Sequence, residues 1–252
     1  MLPYQPIPTI NLGFLHLKTW GVFAALGFLV AILLSVRKAK TKKEKEHLYN
    51  LSIIILASSI IGSRMLYVAE FWKDYVHNPL EALNLFTGGL SFYGGFILAV
   101  VAAYIYIKIN KLNFWVLADK MAAPMALGLV FGRIGCFLAG DHLGTEADLP
   151  WSIMQQGALR HPVTLYHLLS LLLLFTILII IEKKDISKKM FPGFLFLTFT
   201  TYYSLHRLVI DSFRLDPRYF LNLTEAQILS VFLFLISIML IIMKIIKRKN
   251  SR

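Results

Sequence analysis

Residues 162–181 read PVTLYHLLSLLLLFTILIII, and the basic stretch KKDISKK follows at 183–189. A helix needs about 20 apolar residues to cross the hydrocarbon core of a bilayer, which is the length of this run. Basic residues beside such a run collect in the loops that stay on the cytoplasmic side. The stretch therefore predicts a membrane-spanning helix whose C-terminal end lies at the cytoplasmic face.

Similar runs occupy most of the chain. Hydrophobic residues make up 57% of the 252 residues and charged residues only 16%, whereas soluble domains are about half apolar and a quarter charged. Further apolar runs lie at 13–36, 48–70, 88–108, 118–140, 191–213 and 226–243. We therefore predict an all-α polytopic membrane protein with seven transmembrane helices. Residues 1–252 are expected to form a single membrane-embedded domain with short loops.

The net charge of +12 is concentrated in loops. Of the 26 lysines and arginines, 18 fall in four clusters at 37–45, 108–120, 183–189 and 244–252. These clusters follow the first, third, fifth and seventh runs, which predicts an N-terminus outside and a C-terminus in the cytoplasm. We therefore expect a multi-pass protein of the cell (inner or plasma) membrane that has no nucleic-acid partner. The outside segment 73–87 carries apolar residues at helical spacing and is expected to lie along the interface.

Four ionisable residues stand out inside the apolar runs: Arg64, Arg133, Arg207 and Asp211. Each costs about 2.5–3.5 kcal/mol to insert into a bilayer, so its presence is by default a functional hypothesis. An Arg207–Asp211 ion pair alone would let both residues enter the membrane. One carboxylate cannot neutralise three arginines, which favours an anionic partner such as a phosphate or carboxylate. Tyr203 lies four residues before Arg207 and shares its helix face.

Other polar and small residues have structural explanations beside functional ones. Glycines 128, 132, 135 and 140 allow a neighbouring helix to approach closely. Asp141 and His142 are expected to be solvated loop residues, because a metal site needs more ligands.

Tyr93, His161, His167 and Cys136 are also open to structural interpretations. A tyrosine at a membrane interface is often an aromatic-belt anchor. Isolated histidines more often have a structural, hydrogen-bonded role than an acid–base role. Cys136, the single cysteine, is expected to be a small buried hydrophobe. It excludes an intramolecular disulfide, and no metal or cofactor is predicted.

Several blocks together resemble one family. GRIGCFLAGDHLG at 132–144, GGLSFYGGF at 88–96, RHPVTLY at 160–166 and YYSLHRLVIDSFR at 202–214 resemble, in order and spacing, the motifs of the prolipoprotein diacylglyceryl transferases. The resemblance extends over nearly the whole chain. It implies a seven-helix membrane enzyme that phosphatidylglycerol enters laterally from the bilayer. Its reaction transfers the diacylglyceryl group to the lipobox cysteine thiol of a preprolipoprotein, forming a thioether and releasing glycerol phosphate.

The resemblance and the buried charges together predict the site residues. The catalytic set is Arg133, Arg207, Tyr93, Tyr203 and Asp211. The substrate-binding set is Arg133, Arg64, Gly94, Gly95, Gly144 and His161. Arg133 matches the signature arginine of the family and is expected to grip the phospholipid headgroup.

The chain also departs from the family pattern. Tyr93 stands where the family usually has a histidine, Cys136 replaces an asparagine, and Asp211 and His167 each replace a glutamate. An unperturbed phenol, with a pKa near ~10, is a poorer base at neutral pH than an imidazole. Two alternatives therefore stay open: a diverged member that uses another acceptor, and a phospholipid-binding membrane protein without chemistry.

Overall fold

The computed structural model describes residues 4–13, 15–76, 78–84 and 88–250. Most of these residues are helical, and four short strands pair as two hairpins. In chain order the α-helices are α1 (Thr19–Arg37), α2 (Lys42–Glu70), α3 (Trp72–Tyr75), α4 (Phe92–Ile109), α5 (Phe114–Ala139), α6 (Val163–Lys183), α7 (Ile186–Lys189), α8 (Phe194–Ile210) and α9 (Glu225–Asn250). The strands are β1 (Thr9–Leu12), β2 (Leu15–Lys18), β3 (Ile153–Gln155) and β4 (Ala158–Arg160).

Six of the described helices are long and apolar enough to cross a membrane: α1, α2, α4, α5, α6 and α9. A polytopic helical membrane protein is therefore confirmed. The sixth predicted run, 191–213, forms the shorter α8 of 17 residues, which is not among these six helices. Asp119 accepts hydrogen bonds at the start of α8 from the backbone N–H of Gly193 (2.7 Å) and of Phe196 (2.9 Å). A 3₁₀ turn, Asp211–Phe213, follows its end.

The first span begins later than the hydropathy indicates. The run was predicted from residue 13, but the antiparallel β1–β2 hairpin pairs Thr9 with Lys18 and α1 begins at Thr19. The N-terminal segment is attached to the end of α5, where the Ile7 N–H donates to the Leu138 carbonyl (2.6 Å). The backbone bonds of this apolar segment are thus satisfied by strand pairing rather than by a helix.

The chain divides into two compact units, Met1–Ser35 with Ala118–Arg252, and Val36–Leu117. In the first unit, helices α5, α6 and α8 share a core that includes Ala122, Leu174 and Phe199. α1 packs closely on α5, because a Cβ on Gly128 would meet the Gly27 carbonyl oxygen at 2.8 Å. Gly135 is similarly close to Phe23, so the packing explanation is confirmed for Gly128 and Gly135.

Helices α2 and α4 form the body of the second unit. They cross where Gly62 faces Gly94, and a Cβ on either glycine would collide with the carbonyl oxygen of the other. A Cβ on Gly95 would lie 2.8 Å from the Ser59 carbonyl oxygen. Gly94 and Gly95 are therefore required for helix packing, and their predicted role in substrate binding stays a prediction.

Replacing Gly94 by alanine is expected to destabilise this unit. The added methyl has no room unless the helices separate, and overpacking of this kind costs about 1–3 kcal/mol. Thermal unfolding in detergent should show a midpoint several degrees lower. Gly21→Ala is the matched control, since a Cβ there meets only the Lys18 Cβ at 4.0 Å. Equal midpoints for the two variants would contradict the packing role.

Candidate active site

An extended segment after α5 organises the polar end of the first unit. The Thr145 N–H donates to the Phe213 carbonyl (2.8 Å) and the Leu215 N–H to the Leu143 carbonyl (2.9 Å). On its other side, the His161 N–H donates to the Thr145 carbonyl (3.0 Å). One hydrogen-bonded layer thus joins the end of the motif at 132–144, the motif at 160–166 and the end of the motif at 202–214.

Gly144 lies at the centre of this layer. A Cβ there would collide with the His161 carbonyl oxygen. Arg160 donates from Nη1 to the Gly144 carbonyl (3.1 Å) and from Nη2 to Glu146 Oε1 (3.3 Å). Gly144 is therefore needed for backbone packing, and its predicted role in substrate binding stays a prediction.

His161 takes part in an aromatic cluster beside the layer. Its Nδ1 is 3.1 Å from the Tyr166 hydroxyl, and its ring centroid is 4.9 Å from that of Phe213. Trp151 Nε1–H donates to the same hydroxyl (2.8 Å). His161 is therefore hydrogen-bonded within the structure, and its predicted role in substrate binding stays a prediction.

Asp211 is the centre of the charged site. It is fully buried, and its Oδ2 lies 3.0 Å from Arg207 Nε. Its Oδ1 lies 3.0 Å from His167 Nε2 and 3.7 Å from Arg214 Nη1. The predicted Arg207–Asp211 ion pair is present. The same carboxylate also contacts His167 and Arg214.

Arg214 joins this site to the loop after α5. Its Nη2 donates to His142 Nδ1 (2.9 Å) and is 2.9 Å from Asp216 Oδ2. Burial, and then the positive charge of Arg214, lower the pKa of His142 from 6.5 to about 3. His142 is therefore neutral at neutral pH and can accept this hydrogen bond. The expectation that His142 is a solvated loop residue was wrong, because its ring is partly buried and accepts a hydrogen bond from Arg214.

Arg133 differs from the other arginines of the first unit. Within the described ranges its guanidinium makes no hydrogen bond and no ion pair. Tyr203, Arg207, Cys136 and Arg214 are the neighbours that interact with it electrostatically. Two of these are cations, so Arg133 adds a partly buried positive charge to a region that already holds two others.

Tyr203 and Gly132 flank the region around Arg133. The Tyr203 ring stacks on Phe199, with centroids 5.8 Å apart and planes 10° from parallel. A Cβ on Gly132 would meet nothing within 4 Å. Packing therefore explains Gly128 and Gly135 but not Gly132, the residue before Arg133.

Arg64 belongs to the second unit, where its own chain engages it. Its guanidinium donates to the carbonyls of Ala82 (2.8 Å), Glu81 (2.6 Å), Gly88 (2.6 Å) and Gly89 (3.0 Å). These bonds connect the described segments 78–84 and 88–91 to α2. The structure thus gives Arg64 a loop-ordering role, and direct substrate binding by this residue stays a prediction.

Tyr93 lies at the start of α4 in the same unit. Its side chain is 39% exposed, and its ring makes an edge contact with Phe92 at 5.6 Å between centroids. An exposed phenol is available for chemistry and equally suits an aromatic-belt anchor. Its catalytic role stays a prediction.

Sequence reasoning missed the contact of Arg214 with His142 and the contact of His167 with Asp211. Arg214 follows Asp211 by three residues, which is a helical spacing, and that spacing was the available signal. His167 is 44 residues from Asp211, and its partner was not apparent from local spacing. No local spacing in the sequence links His142 to Arg214. Backbone hydrogen bonds around Thr145 bring the two segments together.

The fold and the site together define a polytopic helical membrane protein with a cationic site suited to an anion. The family model for prolipoprotein diacylglyceryl transferase matches residues 8–243. Relatives named phosphatidylglycerol–prolipoprotein diacylglyceryl transferase include one from Listeria innocua, 34% identical over 97% of this chain and 91% of the relative. Others come from Clostridioides difficile, 33% identical over 84% of both chains, and Thermosynechococcus vestitus, 30% identical over 90% and 88%. The chain belongs to the prolipoprotein diacylglyceryl transferase family.

Proposed function

We propose that this protein transfers the diacylglyceryl group of phosphatidylglycerol to the lipobox cysteine thiol of a preprolipoprotein. A carbon–sulfur bond forms at the glyceryl carbon, and the bond from that carbon to the phosphate oxygen breaks. The thiol loses its proton, and the product phosphate leaves as glycerol phosphate. The site must therefore bind an anionic headgroup and stabilise the charge that develops on the departing phosphate.

The observation that carries this proposal is Arg133, which has no hydrogen-bond or ion-pair partner among the residues that the structure describes. A guanidinium removed from water without a counter-ion is costly, and an anionic ligand offsets that cost. Arg133 interacts electrostatically with Arg207 and Arg214, whose carboxylate partners are Asp211 and Asp216. A phosphate beside Arg133 would supply the missing negative charge.

The neighbouring residues have complementary proposed roles. Arg207, oriented by Asp211, stabilises the phosphate as it leaves. Tyr203 presents a phenol to the same region and helps to place the headgroup. Both roles need a fixed geometry, because electrostatic stabilisation works best when the donors are positioned before the reaction.

Tyr93 is the proposed acceptor of the thiol proton. On that basis Tyr93→His is expected to keep or raise the rate of transfer, because an imidazole with an unperturbed pKa near ~6.5 is a better base at neutral pH than a phenol. Initial rates at neutral pH for wild type and variant test this. Tyr93→Phe is the control and should be strongly impaired. A folded but inactive Tyr93→His protein would contradict a base at this position.

In the membrane we propose seven spans, in which α8 joins the six long apolar helices and is the sixth span in chain order. Its 17 residues are at the lower end of the length that spans a bilayer. The basic clusters place the N-terminus outside and the C-terminus in the cytoplasm of a cell (inner) membrane. The segment 73–87, of which residues 77 and 85–87 lie outside the described residues, would then lie along the outer interface.

The test of the activity uses purified protein, phosphatidylglycerol and a lipobox peptide. We expect the peptide to gain the mass of a diacylglyceryl group on its cysteine, with one glycerol phosphate released for each peptide. Release of glycerol phosphate without peptide modification would indicate another acceptor. Absence of both products from a folded protein would overturn the proposal in favour of lipid binding alone.

A further inference from the structure

His167 and Arg207 hold the two oxygens of one carboxylate. His167 Nε2 lies 3.0 Å from Asp211 Oδ1, and Arg207 Nε lies 3.0 Å from Asp211 Oδ2. An ionised carboxylate only accepts hydrogen bonds, so His167 Nε2 must carry the hydrogen. His167 therefore holds Oδ1 by a hydrogen bond, whereas Arg207 attracts Oδ2 by charge, since Oδ2 accepts no hydrogen bond from the described residues.

Because both side chains are buried, loss of the hydrogen bond from His167 would affect Asp211 strongly. The side chains of His167 and Asp211 are both 0% exposed, so water does not replace a donor lost from this pair. The remaining neighbour of Oδ1 is Arg214 Nη1 at 3.7 Å. Without His167, the carboxylate is free to turn towards Arg214, and Oδ2 then moves away from Arg207.

A neutral imidazole is sufficient as the hydrogen-bond donor at this position. Its ring centroid is 4.9 Å from that of His206, and Arg133 and Arg207 interact with it electrostatically. His206 is itself held by Ser170, at 3.1 Å from its Nδ1. A further cation here would compete with Arg207 for Asp211, whereas a neutral N–H orients the carboxylate without adding charge.

We propose that His167 is a positioning residue, which sets the orientation of Arg207 through Asp211. The inference rests on the proposed transfer reaction, in which Arg207 stabilises the leaving phosphate. His167 itself need not touch the substrate. Its removal should therefore lower kcat more than it raises KM for phosphatidylglycerol.

Three substitutions separate this role from simple packing. The amide N–H of His167→Gln reaches the place of Nε2, whereas that of the shorter His167→Asn does not, and His167→Leu fills space without a donor. We expect a kcat within about threefold of wild type for Gln. We expect a loss of about tenfold or more for Asn and Leu, the size of a hydrogen bond to a charged group.

The midpoint of thermal unfolding in detergent is measured for each variant together with its kcat. A purely structural role predicts that kcat follows the unfolding midpoint across the three variants. Folded Asn and Leu variants with wild-type kcat would overturn the proposal, as would a folded Gln variant as impaired as Asn.

A measurement without turnover keeps this inference separate from the proposed function. Nitrogen-15 NMR of histidine-labelled protein should show His167 with hydrogen on Nε2 and none on Nδ1, and Asp211→Asn should shift both resonances. Absence of peptide transfer in wild type would overturn the activity but not this contact. A proton on Nδ1 instead of Nε2 would overturn the contact even in an active enzyme.

Discussion

Arg133→Ala is expected to abolish peptide lipidation while leaving the protein folded. Removing a group that stabilises developing charge costs roughly 100- to 1000-fold in rate. Arg133 also supplies the cation that lacks a protein partner within the described residues, so headgroup binding should weaken as well. Mass spectrometry of the lipobox peptide at saturating and limiting phosphatidylglycerol measures both effects.

Stability distinguishes this prediction from a folding defect. An unpaired guanidinium in an apolar span destabilises the protein, so Arg133→Ala should keep or raise the thermal midpoint without lipid. Added phosphatidylglycerol should stabilise the wild type more than the variant.

Arg218→Ala is the matched control for loss of one positive charge. Arg218 is exposed and donates to the backbone carbonyls of Ser212 (3.0 Å) and Asn222 (3.1 Å). It should retain transfer. Arg133→Lys should fall between the two, because an ammonium keeps the charge and lacks the bidentate geometry. Full activity of a folded Arg133→Ala protein would refute the headgroup assignment.

Hydropathy predicted the helices because bilayer thickness sets their length. It located the starts of α1 and α8 less well, since local hydrogen bonds decide them. The segment before Thr19 is apolar but pairs as a hairpin, and Asp119 fixes the start of α8 from 74 residues away. Such contacts have no periodic signature in the sequence.

The candidate site was predictable as a set of charges but not as a set of pairs. Arg207 and Asp211 are one helical turn apart, so their ion pair follows from spacing. Arg64 looked equivalent to Arg133 because both interrupt apolar runs. The structure separates them, since backbone carbonyls bind Arg64 and no described residue pairs with Arg133.

Asp211→Asn is expected to impair both stability and transfer. The carboxamide has no charge, so Arg207 and Arg214 lose the buried anion that lies 3.0 Å and 3.7 Å from them. Breaking a buried ion pair by removing one partner costs about 3–5 kcal/mol. The thermal midpoint should therefore fall clearly, in contrast to that of Arg133→Ala.

The same substitution should reduce transfer even at temperatures where the protein is folded, because Arg207 is no longer oriented. Asp211→Glu is the matched control: it restores the charge one methylene further out and should recover most of the stability and part of the rate. Phosphatidylglycerol should raise the midpoint of Asp211→Asn by more than that of wild type, since the headgroup then faces an additional uncompensated cation. An Asp211→Asn protein with unchanged midpoint and rate would show that this carboxylate does not organise the arginines.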